Sequence, residues 1–253
     1  MQFKLYTDVH EFYKDTYGVL IRHEAQNVIP LGNIIIGNEG TDQTDWRDPA
    51  NWLMATVSDE NGIQLTAIMT PPYYITLYAT DNIIHPQAVS CLIDGLKGYK
   101  IPGVTTEKCL AEYFAEKYTQ QNGLTFKTTM NQRIYELKTV NPDVKQFGTI
   151  RLMAEKDMCF FPYWVEAFNA AALYGKTEMM IPQDTKSYHY QLATKKFFVL
   201  ECNGIPVSMA QYTREMQTAI CVTYVYTPPY NRGRGYATSC VAQLSQMALD
   251  RGF

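Results

Sequence analysis

The chain has no CxxC pair, no HxxxH or HExxH spacing and no long run of lysine and arginine. Its six cysteines, Cys91, Cys109, Cys159, Cys202, Cys221 and Cys240, stand apart, most of them within apolar stretches. That pattern reads as buried reduced thiols rather than a zinc site or a disulfide framework. The histidines, His10, His23, His85 and His189, lack the spacing of a zinc protease motif. No stretch is long and apolar enough to span a bilayer, and Met1–Phe12 alternates apolar with polar residues where a secretory leader would have an apolar core. A net charge of −3 argues against a broad nucleic-acid footprint. These absences point to a cytoplasmic protein with neither nucleic acid nor membrane as partner.

What is present is a chain of 253 residues with 46% hydrophobic content, enough for two domains that each bury a core. Asn141-Pro142-Asp143 is the best boundary, because a strand-like run, Gln132–Val140, ends there and a new one, Thr149–Met153, follows Gly148. We expect domains at 1–140 and 141–253.

The two halves read alike. In the first, Trp52–Val57 and Ile63–Thr70 alternate as strands around Glu60-Asn61-Gly62, and Tyr73–Tyr78 alternates again after Pro71-Pro72. In the second, Phe197–Cys202 and Ile205–Tyr212 flank Asn203-Gly204, and Ala219–Thr227 is a third strand ending at Pro228-Pro229. Each half opens with helices. Asp8 with Glu11 resembles a capping box; Asp157 or Pro162 starts a helix through Trp164 and Phe168; Asp184 caps another through Leu192. A weak internal duplication of a helix-helix-strand-strand-strand unit is expected. The first half adds a helix over Thr106–Gln121, with Leu110, Phe114 and Tyr118 on one face and Asn122-Gly123 as its stop, then a strand-like Leu124–Lys127.

Chemistry is concentrated in Ala219–Phe253. A β-branched, aromatic strand feeds a turn containing Gly233 and Gly235, and the turn opens a helix with Val241, Leu244 and Ala248 on one face. A glycine turn at a helix head gathers backbone N–H groups where the helix dipole favours negative charge, so a phosphate or diphosphate is the expected ligand. Arg232 and Arg234 add positive charge, and Ala237 is small enough not to block the oxygens. A P-loop would need GxxxxGK[ST]; a dinucleotide fold would need a glycine or alanine where Thr238 sits and an acidic residue about twenty positions on. Neither is present.

Arg232-Gly233-Arg234-Gly235-Tyr236-Ala237 matches [RQ]xxGx[GA], and with Val225-Tyr226-Thr227-Pro228-Pro229-Tyr230 before it the stretch resembles motif A of the GNAT superfamily of N-acetyltransferases. The resemblance implies an α/β fold of the α+β type, with two GNAT-like halves, each a mixed, mostly antiparallel sheet flanked by helices. It implies that amides from Arg232 through Gly233, Arg234, Gly235 and Tyr236 to Ala237 hold the diphosphate of acetyl-CoA. Backbone groups of Val225 and Thr227 would pair with the pantetheine, and an amine acceptor, small molecule or peptide, would attack the acetyl group directly. The first half, with Asp81–Pro86 in place of the motif, resembles a degenerate domain that does not grip CoA. The family continues past this helix with a strand, a helix that often carries a tyrosine acid, and a final strand. The second half is therefore expected to be incomplete, through truncation or through a homodimer that completes the sheet in trans.

No general base or acid is evident. Cys221 stands where some relatives carry Glu, Glu201 and Glu215 read as solvated charges, and Tyr224, Tyr226 and Phe160–Trp164 read first as packing aromatics. Two other readings stay open: a catalytically silent scaffold or acyl-CoA sensor, and a binder of another phosphate ligand.

Overall fold

A computed structural model describes residues 1–40, 48–173 and 185–253. The chain divides into two compact units, Met1–Ile134 and Tyr135–Phe253. The sequence reading placed the break after residue 140.

Unit 1 runs β1 (Gln2–Tyr6), α1 (Val9–Leu20), α2 (Val28–Glu39), β2 (Leu53–Asp59), β3 (Gly62–Met69), β4 (Ile75–Ala79), α3 (Pro86–Gly95), β5 (Val104–Thr105) and α4 (Lys108–Asn122). Its sheet has the order β1-β2-β3-β4-β5, antiparallel except for the β4/β5 pair. Unit 2 runs β6 (Thr149–Leu152), α5 (Phe161–Phe168), α6 (Thr185–Ala193), β7 (Phe197–Cys202), β8 (Ile205–Thr213), β9 (Cys221–Tyr226) and α7 (Tyr236–Asp250). Its sheet is antiparallel in the order β6-β7-β8-β9. Both units therefore carry the expected helix-helix-strand-strand-strand order, with a strand before it and a helix directly after it; unit 1 then adds β5 and α4. The likeness extends to detail: the β2/β3 register shifts at Val57/Ser58 and the β7/β8 register at Leu200/Glu201.

Strand alternation sends side chains to two faces, and each face is covered by helices. In unit 1, Leu53, Ala55, Val57, Leu65, Ala67 and Leu77 pack with Leu92 of α3 and Phe114 of α4. In unit 2, Phe197, Val199 and Met209 pack with Phe161 and Trp164 of α5 and Tyr188 of α6. On the opposite face Phe198, Leu200, Ala210 and Tyr212 pack with Cys240, Leu244 and Ala248 of α7. Each large buried side chain contributes about 1.5–3 kcal/mol, so the two helical layers hold the sheet from both sides.

Helix ends follow local chemistry. Asp8 accepts the His10 N–H at 2.8 Å at the head of α1. The expected capping box is not completed, because Glu11 pairs with Lys4 Nζ at 2.9 Å instead. Glu107 caps α4, accepting from the Cys109 and Leu110 amides, and Gly123 ends it at φ +64°. Gly252 at φ +94° closes α7: its N–H donates to the Leu249 carbonyl and the Phe253 N–H to the Ala248 carbonyl, a Schellman pair. The expected cap Asp184 lies outside the described residues. Of the two alternative starts for the helix through Trp164 and Phe168, Pro162 falls in the first turn of α5, whereas Asp157 lies within a separate 3-10 turn over Glu155–Cys159.

Two expected strands are absent. Leu124–Lys127 and Gln132–Val140 carry no regular structure, and Phe126, Ile134, Tyr135 and Leu137 are exposed. Their alternating pattern suits a strand, but a strand exists only with a partner ladder, and none of the described strands pairs with them. The cysteines are all free, but Cys240 alone is buried; Cys109 and Cys159 are exposed, against the sequence expectation.

Candidate functional site: a glycine turn beside a bulged strand

β9 departs from regular pairing where the turn begins. Gln211 faces Thr223 and Met209 faces Tyr226, so Tyr224 and Val225 together oppose Ala210. Tyr224 sits at φ +51°, an uncommon conformation for an aromatic residue. The inserted residue resets the alternation: Val222 and Val225 pack toward α7, whereas Tyr224 and Tyr226 pack toward α5. Among the described residues the other edge of β9 has no strand partner.

Beyond β9, Pro229–Asn231 forms a single 3-10 turn. It consumes two amides: Asn231 N–H donates to the Pro228 carbonyl at 2.9 Å and Arg232 N–H to the Pro229 carbonyl at 3.3 Å. The Arg232 amide, expected to face a ligand, is therefore already engaged. Gly233 at φ +75° and Gly235 at φ +81° then turn the chain through the left-handed region on either side of Arg234. Gly235 is the residue before α7, and the next engaged amide is that of Ser239, which donates to the Gly235 carbonyl at 2.9 Å. Between them, the N–H groups from Gly233 to Thr238 have no hydrogen-bond partner among the described residues. The glycines, Arg232 and Arg234 are exposed, and a Cβ built on Gly233 meets open space. Unpartnered amides, a helix head and two guanidinium groups together form a site for an anion.

The turn is held from below. Ser208, fully buried on β8, donates to the Tyr226 carbonyl at 3.0 Å and lies 2.9 Å from the Thr227 hydroxyl. Arg232 Nε donates to the Thr227 carbonyl at 2.9 Å, and its guanidinium stands 5.8 Å from the Tyr226 ring centre. The Thr227 carbonyl, one of the backbone groups expected to meet a ligand chain, thus has a protein partner. Asn231 is 9% exposed, and its buried side-chain nitrogen has no partner. An orphaned donor at the foot of a run of free amides fits a site that accepts oxygen atoms.

The candidate bases are occupied elsewhere. Glu201 accepts from Arg151 Nε at 2.7 Å, and Glu215 pairs with Arg251 at 2.8 Å. Burial pushes the Cys221 thiol above its ordinary pKa, with Arg214 opposing the shift, so it stays protonated near neutrality. Tyr224 meets Phe168 in a tilted contact with ring centres 4.6 Å apart and approaches Phe197 at 5.5 Å; Tyr226 meets Trp164 at 5.9 Å. Phe160 and Trp164 belong to the same aromatic layer, so this cluster builds the core above the bulge. Ser208 and Phe147 escaped the sequence reading. The signal for the latter was the Phe147-Gly148 pair: a Cβ on Gly148 would lie 2.4 Å from the Glu201 carbonyl oxygen.

The chain matches no known family profile and no curated protein sequence. Among solved structures it is similar to a GNAT-family acetyltransferase from Colwellia psychrerythraea, with a TM-score of 0.54 at 10% identity over 100% of this chain and 87% of that one. It also matches an N-acetyltransferase from Staphylococcus aureus Mu50, with a TM-score of 0.32 at 20% identity over 42% of this chain and 68% of the other. A GNAT-family acetyltransferase from Novosphingobium aromaticivorans gives 0.32 at 16% identity over 78% and 74%. The two-sheet architecture flanked by helices, with the whole chain aligned to the first of these, is the fold of the GNAT superfamily of N-acetyltransferases.

Proposed function

We propose that the chain is an N-acetyltransferase that moves an acetyl group from acetyl-CoA to an amine by direct attack. The observation that carries this reading is the run of unpartnered amides from Gly233 to Thr238, at the head of α7 and beside the bulge of β9. The amides of Gly233, Arg234, Gly235, Tyr236 and Ala237 would hold the diphosphate, with Arg232 and Arg234 supplying charge. Val225, at the bulge, would offer backbone groups to the pantetheine and to the acetyl oxygen. Acetyl-CoA would supply an acyl carbon activated as a thioester. The chain's part is to fix that carbon in place so that binding energy substitutes for collisional chance.

Unit 1 takes a structural or substrate-shaping role on this reading. The acceptor is a small-molecule or peptide amine in the cytoplasm; among the described residues no helix is long and apolar enough to cross a membrane. A second reading, an acyl-CoA sensor without turnover, is favoured by the ion pairs that occupy Glu201 and Glu215.

Calorimetry with acetyl-CoA, followed by CoA release across an amine panel, tests both. Binding with release supports the transferase. Binding without release across the panel supports the sensor, and absence of binding removes both.

A further inference from the structure

We propose that Phe147 is the contact for the nucleobase of the ligand, so that the site selects a base-bearing diphosphate over a bare one. This rests on the reading of the glycine turn as a diphosphate site.

Phe147 lies far from the turn in sequence but is tied to α7 by its backbone. Its N–H donates to Ser239 Oγ at 2.7 Å, and the same hydroxyl donates back to the Phe147 carbonyl at 2.9 Å. Ser239 is fully buried. Gln243 completes the attachment, accepting the Ile150 N–H at 3.1 Å and donating to the Phe147 carbonyl at 3.3 Å. Gly148, at φ +63°, gives the segment its bend. The backbone on both sides of the ring is therefore fixed by polar bonds to the helix whose head carries the free amides.

The ring itself stands at the turn. A Cβ built on Gly235 would lie 3.1 Å from Phe147 Cε2, and the ring meets Tyr236 edge-on at 6.1 Å. Yet Phe147 remains 39% exposed, whereas the rings toward α5 are packed into the core. A fixed, part-exposed aromatic ring that touches the residue at the head of an anion site is a platform for a planar group joined to that anion. An inorganic diphosphate would make no use of it. A purine joined through ribose to the diphosphate would lie within its reach.

Displacement of labelled CoA separates the two claims. ADP serves as the base-bearing probe and inorganic diphosphate as the bare one. Phe147→Ala should raise the ADP inhibition constant about tenfold, within the roughly 5- to 150-fold that a base stacked on an aromatic ring is worth. It should leave that of diphosphate unchanged, and Phe147→Tyr should restore ADP. Should the alanine variant fail to fold, Phe147→Leu keeps the apolar contact with Gly235 and removes only the stacking face. Equal losses for both probes would mean that Phe147 merely supports the turn, and no loss for either would mean that the base lies elsewhere; each overturns the proposal. If diphosphate does not compete in the unaltered protein, the anion site itself is at fault.

Discussion

β4 and β9 hold the same position in two units of matching element order, yet only β9 leads into a turn of unpartnered amides. β4 runs in unbroken register against β3 from Leu65 opposite Ala79 to Ile68 opposite Thr76. β9 carries a bulge at Tyr224 and Val225. After β4, the left-handed positions fall on Asp81 at φ +54° and Asn82 at φ +61°, and the turn closes on itself. The Asp81 amide donates to the Tyr78 hydroxyl and the Ile83 amide to the Thr80 carbonyl. α3 then begins with Pro86, which has no N–H to offer. After β9, glycines take the left-handed positions and the amides stay free. On the sheet edge, unit 1 has the parallel strand β5 beyond β4, whereas no described strand pairs with β9 on the side away from β8. Topology is thus shared at low cost, whereas ligand chemistry depends on a few backbone positions.

The largest effect is expected where unit 2 is made to resemble unit 1. Gly235→Val places a β-branched residue at φ +81° and a methyl-bearing carbon against Phe147. Strain of about 2–3 kcal/mol predicts a loss of CoA affinity of roughly 30- to 150-fold, read by calorimetry, with the circular dichroism spectrum unchanged.

Next comes the ion pair that fastens β6 in unit 2. Arg151 grips Asp157 in a two-pronged bond of 2.7 and 2.9 Å, and Asp157 is almost fully buried. Burial alone would raise the Asp157 pKa, but Arg151 and the Ala154 amide outweigh it and hold the carboxyl below its ordinary value. A depressed folded pKa means that this stabilisation is complete above the unfolded value of about 4 and fades as pH falls through the lower folded value. Asp157→Asn should destabilise unit 2 by about 3 kcal/mol at neutral pH, because Arg151 loses its two-pronged partner and keeps only Glu201, and should flatten the acid limb of urea denaturation below pH ~4. Ser239→Ala should cost about 1–2 kcal/mol through the lost bonds to Phe147. The smallest change is expected in unit 1: Asp81→Gly relieves a positive φ but gives up an exposed pair with Arg22, leaving stability within about 1 kcal/mol and CoA affinity unaltered.

Local signals were legible in the sequence where they were complete in themselves. β7 and β8 are spelled by alternating residues around Asn203-Gly204, and α4 by Leu110, Phe114 and the stop at Gly123. The glycine turn was legible because its conformation depends on the residues it contains. What could not be read depends on partners far away in the chain. β1 is short and contains Lys4, and only pairing with β2 makes it a strand. α2 carries Pro30 and a run of isoleucines that oppose helix formation, and burial of Leu31 and Ile34 overrides them. Gln132–Val140 has the pattern of a strand without a described partner. The bulge at Tyr224 is a register relation with β8, and the engagement of the Arg232 amide follows from a turn that begins at Pro229.

A nitrogen-15 amide titration with CoA tests most directly whether this turn grips a diphosphate. The backbone resonances of Gly233, Gly235, Tyr236 and Ala237 should move and gain protection from exchange, while those of Asp81 to Ile84 stay fixed. Shifts confined to other parts of the chain, or none at saturating CoA, would contradict the assignment of the site.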